Sequence, residues 1–343
     1  MMLYLLRRFN LLAFTLLMLS LASYWLVFVF PGDPLTNMSG IIPSSEQEKV
    51  TLQAFYDLEK NNVMQFVRYL ELLWDGNWGV SFASGQPLFE EIIFYLPASI
   101  ELSAYALILS LIVGIPVGIF AGLKHGKFSD YSLLTASLVG YSVPVFWLAL
   151  LLILIFSLQF SWFPISGRVS LLYEIPHQSG FIIYDILNSN MYNKQAALID
   201  ALSHLLLPTI SISLVTTTVI IRITRRSIIN VMTSDYIRAA YAKGLSNTQV
   251  FWKHGFRNAL LPIMPQIAMQ FTTLLTNAMI VETIFSWPGI GHWLMQAIYQ
   301  QDYPAIRAGM LAVAGIVVLF NVCIDLIHSF TDPQRMNQNR AEI

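Results

Sequence analysis

Charge is scarce in this chain. Only 11% of its 343 residues are Asp, Glu, Lys or Arg, less than half of the roughly 25% that a soluble domain carries. Cysteine is scarcer: Cys323 is alone and sits in an apolar run, which excludes a disulfide framework and a cysteine-built metal site. The six histidines never form HExxH, and His204 and His292 stand isolated, so no metal site is expected. GxxxxGK[ST] is missing too, so the chain has no phosphate-cradling loop of its own. No catalytic constellation is visible, and no nucleic-acid partner is expected. No internal repeat stands out, which gives no support to an inverted-repeat secondary transporter.

What is abundant is apolar side chain, at 56% with a mean hydropathy of +0.60. A spanning helix needs roughly 20 mostly apolar residues. Six stretches qualify: about 10–30, 97–122, 132–158, 204–222, 264–285 and 306–329. The first follows Arg7 and Arg8 as a signal peptide would, but its apolar run is too long and no small-residue cleavage site follows. It reads as an uncleaved first helix. The expected fold class is all-α integral membrane, with 1–95 as a first span plus an external cap and 96–343 as the transmembrane core.

Lysine and arginine set the orientation. Thirteen lie on one side: Arg7 and Arg8, Lys124 and Lys127, seven between 222 and 263, and Arg335 and Arg340. Six lie on the other: Lys49, Lys60, Arg68, Arg168, Lys194 and Arg307, and there nine Asp or Glu crowd 31–95. Both termini and the 222–263 segment are therefore expected in the cytoplasm, with anionic lipid headgroups near the arginines.

Outside, Ser45-Glu46-Gln47-Glu48 has capping-box spacing. Phe66, Tyr69, Leu70, Leu73 and Trp74 predict an amphipathic helix, broken by Asp75-Gly76-Asn77-Trp78-Gly79. Segment 160–203 reads as irregular, and Ser286-Trp287-Pro288-Gly289-Ile290-Gly291 as a tight re-entrant turn.

Segment 222–263 is the most informative. Asp235 opens a run of helix formers, Tyr236-Ile237-Arg238-Ala239-Ala240-Tyr241-Ala242-Lys243, with acid first and lysine last as the helix dipole prefers. Gly244 stands where a left-handed C′ residue belongs. Ser246-Asn247-Thr248-Gln249 is a capping box, with Leu245 and Val250 placed as its hydrophobic staple. The spacing predicts two short helices joined at a glycine corner, a knob for docking rather than a plain basic connector.

Those residues, with His254, Arg257, Asn258, Ala259, Leu260 and Pro262, resemble the coupling (EAA) loop of ABC importer permeases, and more narrowly the dipeptide/oligopeptide family. Arg238 stands where the general motif has an acid, as is usual in the peptide branch. The resemblance extends to Pro31-Gly32-Asp33-Pro34, Asn77-Trp78-Gly79, Pro97-Ala98-Ser99, Pro144-Val145-Phe146-Trp147, Glu282, Phe285, Pro288-Gly289-Ile290-Gly291, Asp302-Tyr303-Pro304 and Asp332-Pro333. Gln301 departs from it, since the family more often has arginine there. Within the family the chain is similar to the Sap-type peptide permeases. The resemblance implies a type I ABC importer permease fold in a bacterial inner membrane. It implies a second homologous permease subunit forming a heterodimer, two ATP-binding subunits that bind the ATP and Mg, and a periplasmic substrate-binding protein. The cargo it implies is peptides, cationic antimicrobial peptides included, with polyamine (putrescine) transport or export as the alternative.

Ionisable residues within spans are functional candidates: Glu101, Glu282 and Asp325. Gln270, Thr273 and Asn277 share one helical face, and Thr216 lies among Ser211, Ser213, Thr217 and Thr218. With Pro288, Gly289, Gly291 and Asp302 these form the candidate pathway or gate, although serine and threonine also bond across helix interfaces. Rival classes are an intramembrane enzyme using buried acids and a proton-coupled secondary transporter working through Glu282.

Overall fold

The structure, a computed structural model, describes residues 2–331. The side chain of Asp325 and residues 332–343, with Asp332, Pro333, Arg335 and Arg340, lie outside the described part. In chain order the helices are α1 (Met2–Val29), α2 (Pro34–Ser39), α3 (Glu46–Phe55), α4 (Asn62–Trp74), α5 (Leu88–Leu123), α6 (Phe128–Ser142) and α7 (Val145–Leu152). Then come α8 (Ile182–Asn188), α9 (Lys194–Met232), α10 (Asp235–Ala242), α11 (Asn247–Val250), α12 (Arg257–Leu260), α13 (Met264–Ile284), α14 (Ile290–Tyr299) and α15 (Tyr303–Thr331). Wide π-type turns extend α7 over Ile153–Gln159 and join α11 to α12 over Phe251–Phe256.

Among the described residues, five helices are long and apolar enough to span a bilayer: α1 from Leu6, α5, α9, α13 and α15. A sixth span results if the pair Phe128–Ser142 and Val145–Gln159, bent by 92°, counts as one. The expected unbroken run 132–158 is thus corrected. Pro144 pushes the residue before it out of the helical region, and Val143 is extended (φ −78°, ψ 120°). The other outlines grow. Helix α5 starts at Leu88, so Pro97 lies inside it rather than at its start. Helix α9 has 39 residues, about 58 Å at 1.5 Å per residue against a hydrocarbon core of about 30 Å. Arg222, Arg225 and Arg226, read above as loop residues, are therefore on α9.

Two compact units partition the chain. One contains the chain up to Ser99, His177–Phe181 and Pro288–Cys323; the other contains Ile100–Pro176, Ile182–Trp287 and the chain from Ile324.

The first unit has a core of Tyr24, Val27, Leu35, Met38, Tyr56, Tyr69 and Leu72. Helix α4 buries Gln65, Tyr69 and Leu72, one face at helical spacing. Trp74, expected on that face, is 92% exposed. Gln65 is fully used: Tyr24 donates to its Oε1 at 2.9 Å, and its Nε2 donates to the carbonyls of Leu58 (3.0 Å) and Lys60 (2.8 Å). Half of the expected capping box at Ser45 forms. Ser45 accepts from Glu48 N, but the Glu48 carboxylate instead takes the N–H and hydroxyl of Ser44, at 2.7 and 2.6 Å. The chain turns at Phe285–Ser286, and Gly289 then caps the ten-residue helix α14, which was not expected; its buried positions Ile290, Trp293, Leu294 and Ala297 recur at helical spacing that the Gly-Pro cluster masked.

The second unit is organised on α9, which packs against α6, α7, α8, α12 and α13. Helix α5 meets it through Gly114, Gly118 and Gly122, four residues apart. A Cβ at these positions would stand 2.7 Å from Ile220 Cγ2, 2.6 Å from Thr224 Cβ and 2.7 Å from Ile228 Cγ2. This is the small-residue approach used by membrane helices. Segment 160–203 is not irregular throughout: Ile182, Ile186, Ala197 and Ala201 form a core with Val169, Tyr173 and Ile175 packed on it. Buried Glu101 anchors this segment, pairing with Arg168 and accepting from Ile182 N at 3.2 Å.

Candidate functional site

The corner forms as its spacing predicts. Helix α10 ends in a Schellman motif: Gly244 N donates to Tyr241 O at 2.9 Å and Leu245 N to Ala240 O at 3.4 Å. Gly244 sits at φ +80°, a conformation that glycine adopts without penalty. Beyond it, Ser246 and Gln249 complete the capping box in both directions. Ile237, Ala240 and Val250 form the apolar core of the corner, with Leu245 and Met232 packed on it, so the staple residues meet.

This core holds the outer face in place. Tyr236, Arg238, Ala239, Tyr241, Lys243 and Gly244 are exposed, as are Arg257, Asn258 and Pro262; His254 is half-buried. Ala240, grouped above with the docking residues, is buried and supports the corner from within. Asn258 Nδ2 donates to Tyr236 Oη (3.3 Å) and to His254 O (2.9 Å), linking α10 to α12. The Arg238–Asp235 pair, 3.4 Å apart, is 76% and 97% exposed, and such pairs contribute little. Arg238 therefore keeps its guanidinium available to a partner.

The corner rests directly on α9. Ser227 Oγ donates to Ala259 O at 2.7 Å. A Cβ on Gly255 would stand 2.9 Å from Met232 Sδ, so the wide turn Phe251–Phe256 passes close to α9 at residue 255. Sequence reasoning missed these supports, because nothing in the local pattern ties 227 or 232 to 255–259.

The candidate pathway residues separate. On α13, Gln270 and Asn277 are half-buried and Thr273 is exposed, all on one face of the helix. Thr216 is fully buried inside the second unit, so it shares no open surface with them in this conformation. Ser211 and Ser213 return their hydroxyls to carbonyls of their own helix, the bland alternative for such residues.

The candidate gate residues are buried or half-buried, each within its own unit. Glu282 is buried near the end of α13, where its carbonyl accepts from Trp287 N at 2.8 Å and closes a second Schellman motif around Ser286 (φ +47°). Trp287 is buried, with the Arg168 guanidinium carbon 5.4 Å from its ring centroid. In the first unit, Gly289 and Gly291 are buried and Pro288 half-buried, and Ile290 N donates to Ser99 Oγ at 2.9 Å. Asp302 caps α15: it accepts from Ala305 N (3.1 Å), and its Oδ2 accepts from Ser81 Oγ (2.6 Å) and Ala83 N (3.1 Å). Gln301 stands in the left-handed region (φ +55°).

Residues 114–337 match the model of the family described as binding-protein-dependent transport system inner membrane component. The chain belongs to that family. Its members are multi-pass inner membrane permease components with the type I ABC permease fold expected from the sequence. The chain is 38% identical over 332 residues to the di/tripeptide transport system permease protein DppB of Pseudomonas aeruginosa (strain UCBPP-PA14), covering 97% of this chain and 98% of the relative. It is 36% identical to the dipeptide transport system permease protein DppB of Escherichia coli (strain K12), over 96% of this chain and 98% of that one. It is also 43% identical over 260 residues to the putrescine export system permease protein SapB of Escherichia coli (strain K12), covering 76% and 80% of the two chains.

Proposed function

We propose that this chain is one of two membrane subunits of an ATP-driven importer that carries short peptides across a bacterial inner membrane. The observation that carries this reading is the α10–Gly244–α11 corner: a packed apolar core beneath exposed aromatic and cationic side chains. A rigid knob is what force transmission needs, since a soft loop would absorb displacement. Family membership and the dipeptide relatives support the reading.

The partners are a second, homologous permease, two ATP-binding subunits that hold ATP and Mg, and a periplasmic binding protein that selects cargo. Both termini and the corner face the cytoplasm, in line with the excess of Lys and Arg on that side. ATP binding closes the ATP-binding subunits, the corner moves with them, and the pathway opens outward to receive cargo; hydrolysis resets it. Gln270, Thr273 and Asn277 offer donors and acceptors to a peptide backbone. Pro288, Gly289, Gly291 and Asp302 of the first unit belong to the outer gate, and Glu282 of the second unit is a gate residue in its own right. This chain performs no hydrolysis itself.

A second cargo is favoured by one observation, the 43% identity to a relative named for putrescine export. The complete complex, reconstituted in proteoliposomes, separates the two. Peptide import predicts that a dipeptide with its binding protein stimulates ATP hydrolysis and accumulates inside. Stimulation by putrescine alone, with efflux, would replace peptide by polyamine and reverse the direction.

A further inference from the structure

Asp130, in the first turn of α6, is completely buried and surrounded by donors. Arg225 of α9 reaches it with Nε at 2.5 Å and Nη2 at 2.7 Å, a two-pronged grip on both carboxylate oxygens. Gly126 N donates at 3.0 Å and His125 Nδ1 lies 3.2 Å away. Arg225 Nη2 also lies 3.1 Å from His125 Nδ1.

A buried ion pair is poor evidence for stability alone, because desolvation cancels much of the attraction. Its better-attested use is fixing register, and its position here calls for that. Along α9 the contact with α5 sets glycine against Ile220, Thr224 and Ile228, a close approach that contains no charged pair. Arg225 lies just before Ser227 and Met232, the α9 residues on which the corner rests. Asp130 begins the helix that runs to the 92° bend. A bidentate guanidinium–carboxylate pair is directional, so displacement of α9 along its axis carries α6 with it.

We propose that Asp130–Arg225 is the positioning contact that passes movement of the corner from α9 to α6, coupling ATP hydrolysis to opening of the pathway. This rests on the importer reading above. Neither residue lies on the exposed docking face, so breaking the pair leaves the ATP-binding subunits attached and hydrolysing while transport fails.

The test uses the complete complex in proteoliposomes, with alanyl-alanine as cargo and wild type, Asp130→Asn, Asp130→Glu and Arg225→Gln compared. Asp130→Asn is expected to lower dipeptide uptake per ATP hydrolysed about tenfold, with co-purification of the ATP-binding subunits and basal hydrolysis unchanged within about twofold. Asp130→Glu, which keeps the charge, restores part of the ratio. If Asp130→Asn does not assemble, Arg225→Gln must show the same loss of ratio. Uptake and hydrolysis falling in parallel, or an unchanged ratio in every assembled variant, would overturn the proposal. Absence of ATP-dependent movement of dipeptide and of putrescine, in either direction, by wild type would instead remove the transporter reading on which it stands.

Discussion

Arg307 donates to the carbonyl oxygen of Trp78 at 2.7 Å from a position only 1% exposed, and no carboxylate pairs with it among the described residues. Its other acceptors are Tyr69 Oη at 2.8 Å and Met38 O at 3.3 Å. One guanidinium thus ties α15, α4, α2 and the loop at Trp78 into a single core. Only a planar fork reaches three acceptors in different directions. Arg307→Lys and Arg307→Met should each destabilise the first unit by about 3 kcal/mol or more, because buried acceptors are left unmet. Thermal unfolding of the detergent-purified chain measures this, and a midpoint within a degree of wild type would contradict it.

The glycine stripe on α5 makes a steric prediction. Gly118→Leu should cost about 3 kcal/mol through overpacking, since even a Cβ there meets Thr224 Cβ at 2.6 Å and Ile221 O at 2.8 Å. The same change at Gly85, where a Cβ meets nothing within 4 Å, should cost only its left-handed backbone penalty, about 1–2 kcal/mol. Unfolding midpoints of the two variants give the comparison.

Among the described residues four that are not glycine occupy the left-handed ends of helices, and two of them flank the candidate gate, Ser286 after α13 and Gln301 after α14. Replacing either by glycine should relieve about 1 kcal/mol of backbone strain. Both variants should melt later than wild type. If transport falls as stability rises, the strain is part of the outer gate's work.

Burial pushes the His292 imidazole below its ordinary range. The unfolded chain then takes up this proton first as pH falls. Stability should therefore be constant above about pH 7 and decline as pH drops through about 6.5. His292→Phe should flatten this dependence in pH-dependent thermal unfolding; an unchanged slope would assign it to other groups.

The sequence revealed the corner because every signal for it is local. Asp235, Gly244, Ser246 and Gln249 lie within fifteen residues and act on their own backbone. The six apolar stretches were legible for the same reason, since a bilayer reads hydropathy directly. What stayed hidden was tertiary. Arg307 was counted as one more external charge, although it is the buried centre of a unit. Arg225 was counted as loop charge, although it lies on a helix and grips a carboxylate 95 residues away. The bend at Pro144 was legible locally, since proline forces Val143 out of the helical region, but hydropathy alone runs straight across it. Thr216 and Gln270 looked equivalent as polar residues in spans, and only packing separates a filled interior from an open face.

The corner at Gly244 bears most of the functional account, and its test is co-purification. A Cβ there touches nothing within 4 Å, so a substitution acts only through φ, by about 1–2 kcal/mol or more for a β-branched side chain. The complex should be isolated through a tag on this chain, with wild type, Gly244→Ala and Gly244→Val compared for recovered ATP-binding subunits. The account predicts full recovery with wild type, a modest loss with Gly244→Ala and near-complete loss with Gly244→Val, while all three chains reach the membrane in equal amounts. Full recovery of the ATP-binding subunits with Gly244→Val, with dipeptide-stimulated hydrolysis intact, would contradict it.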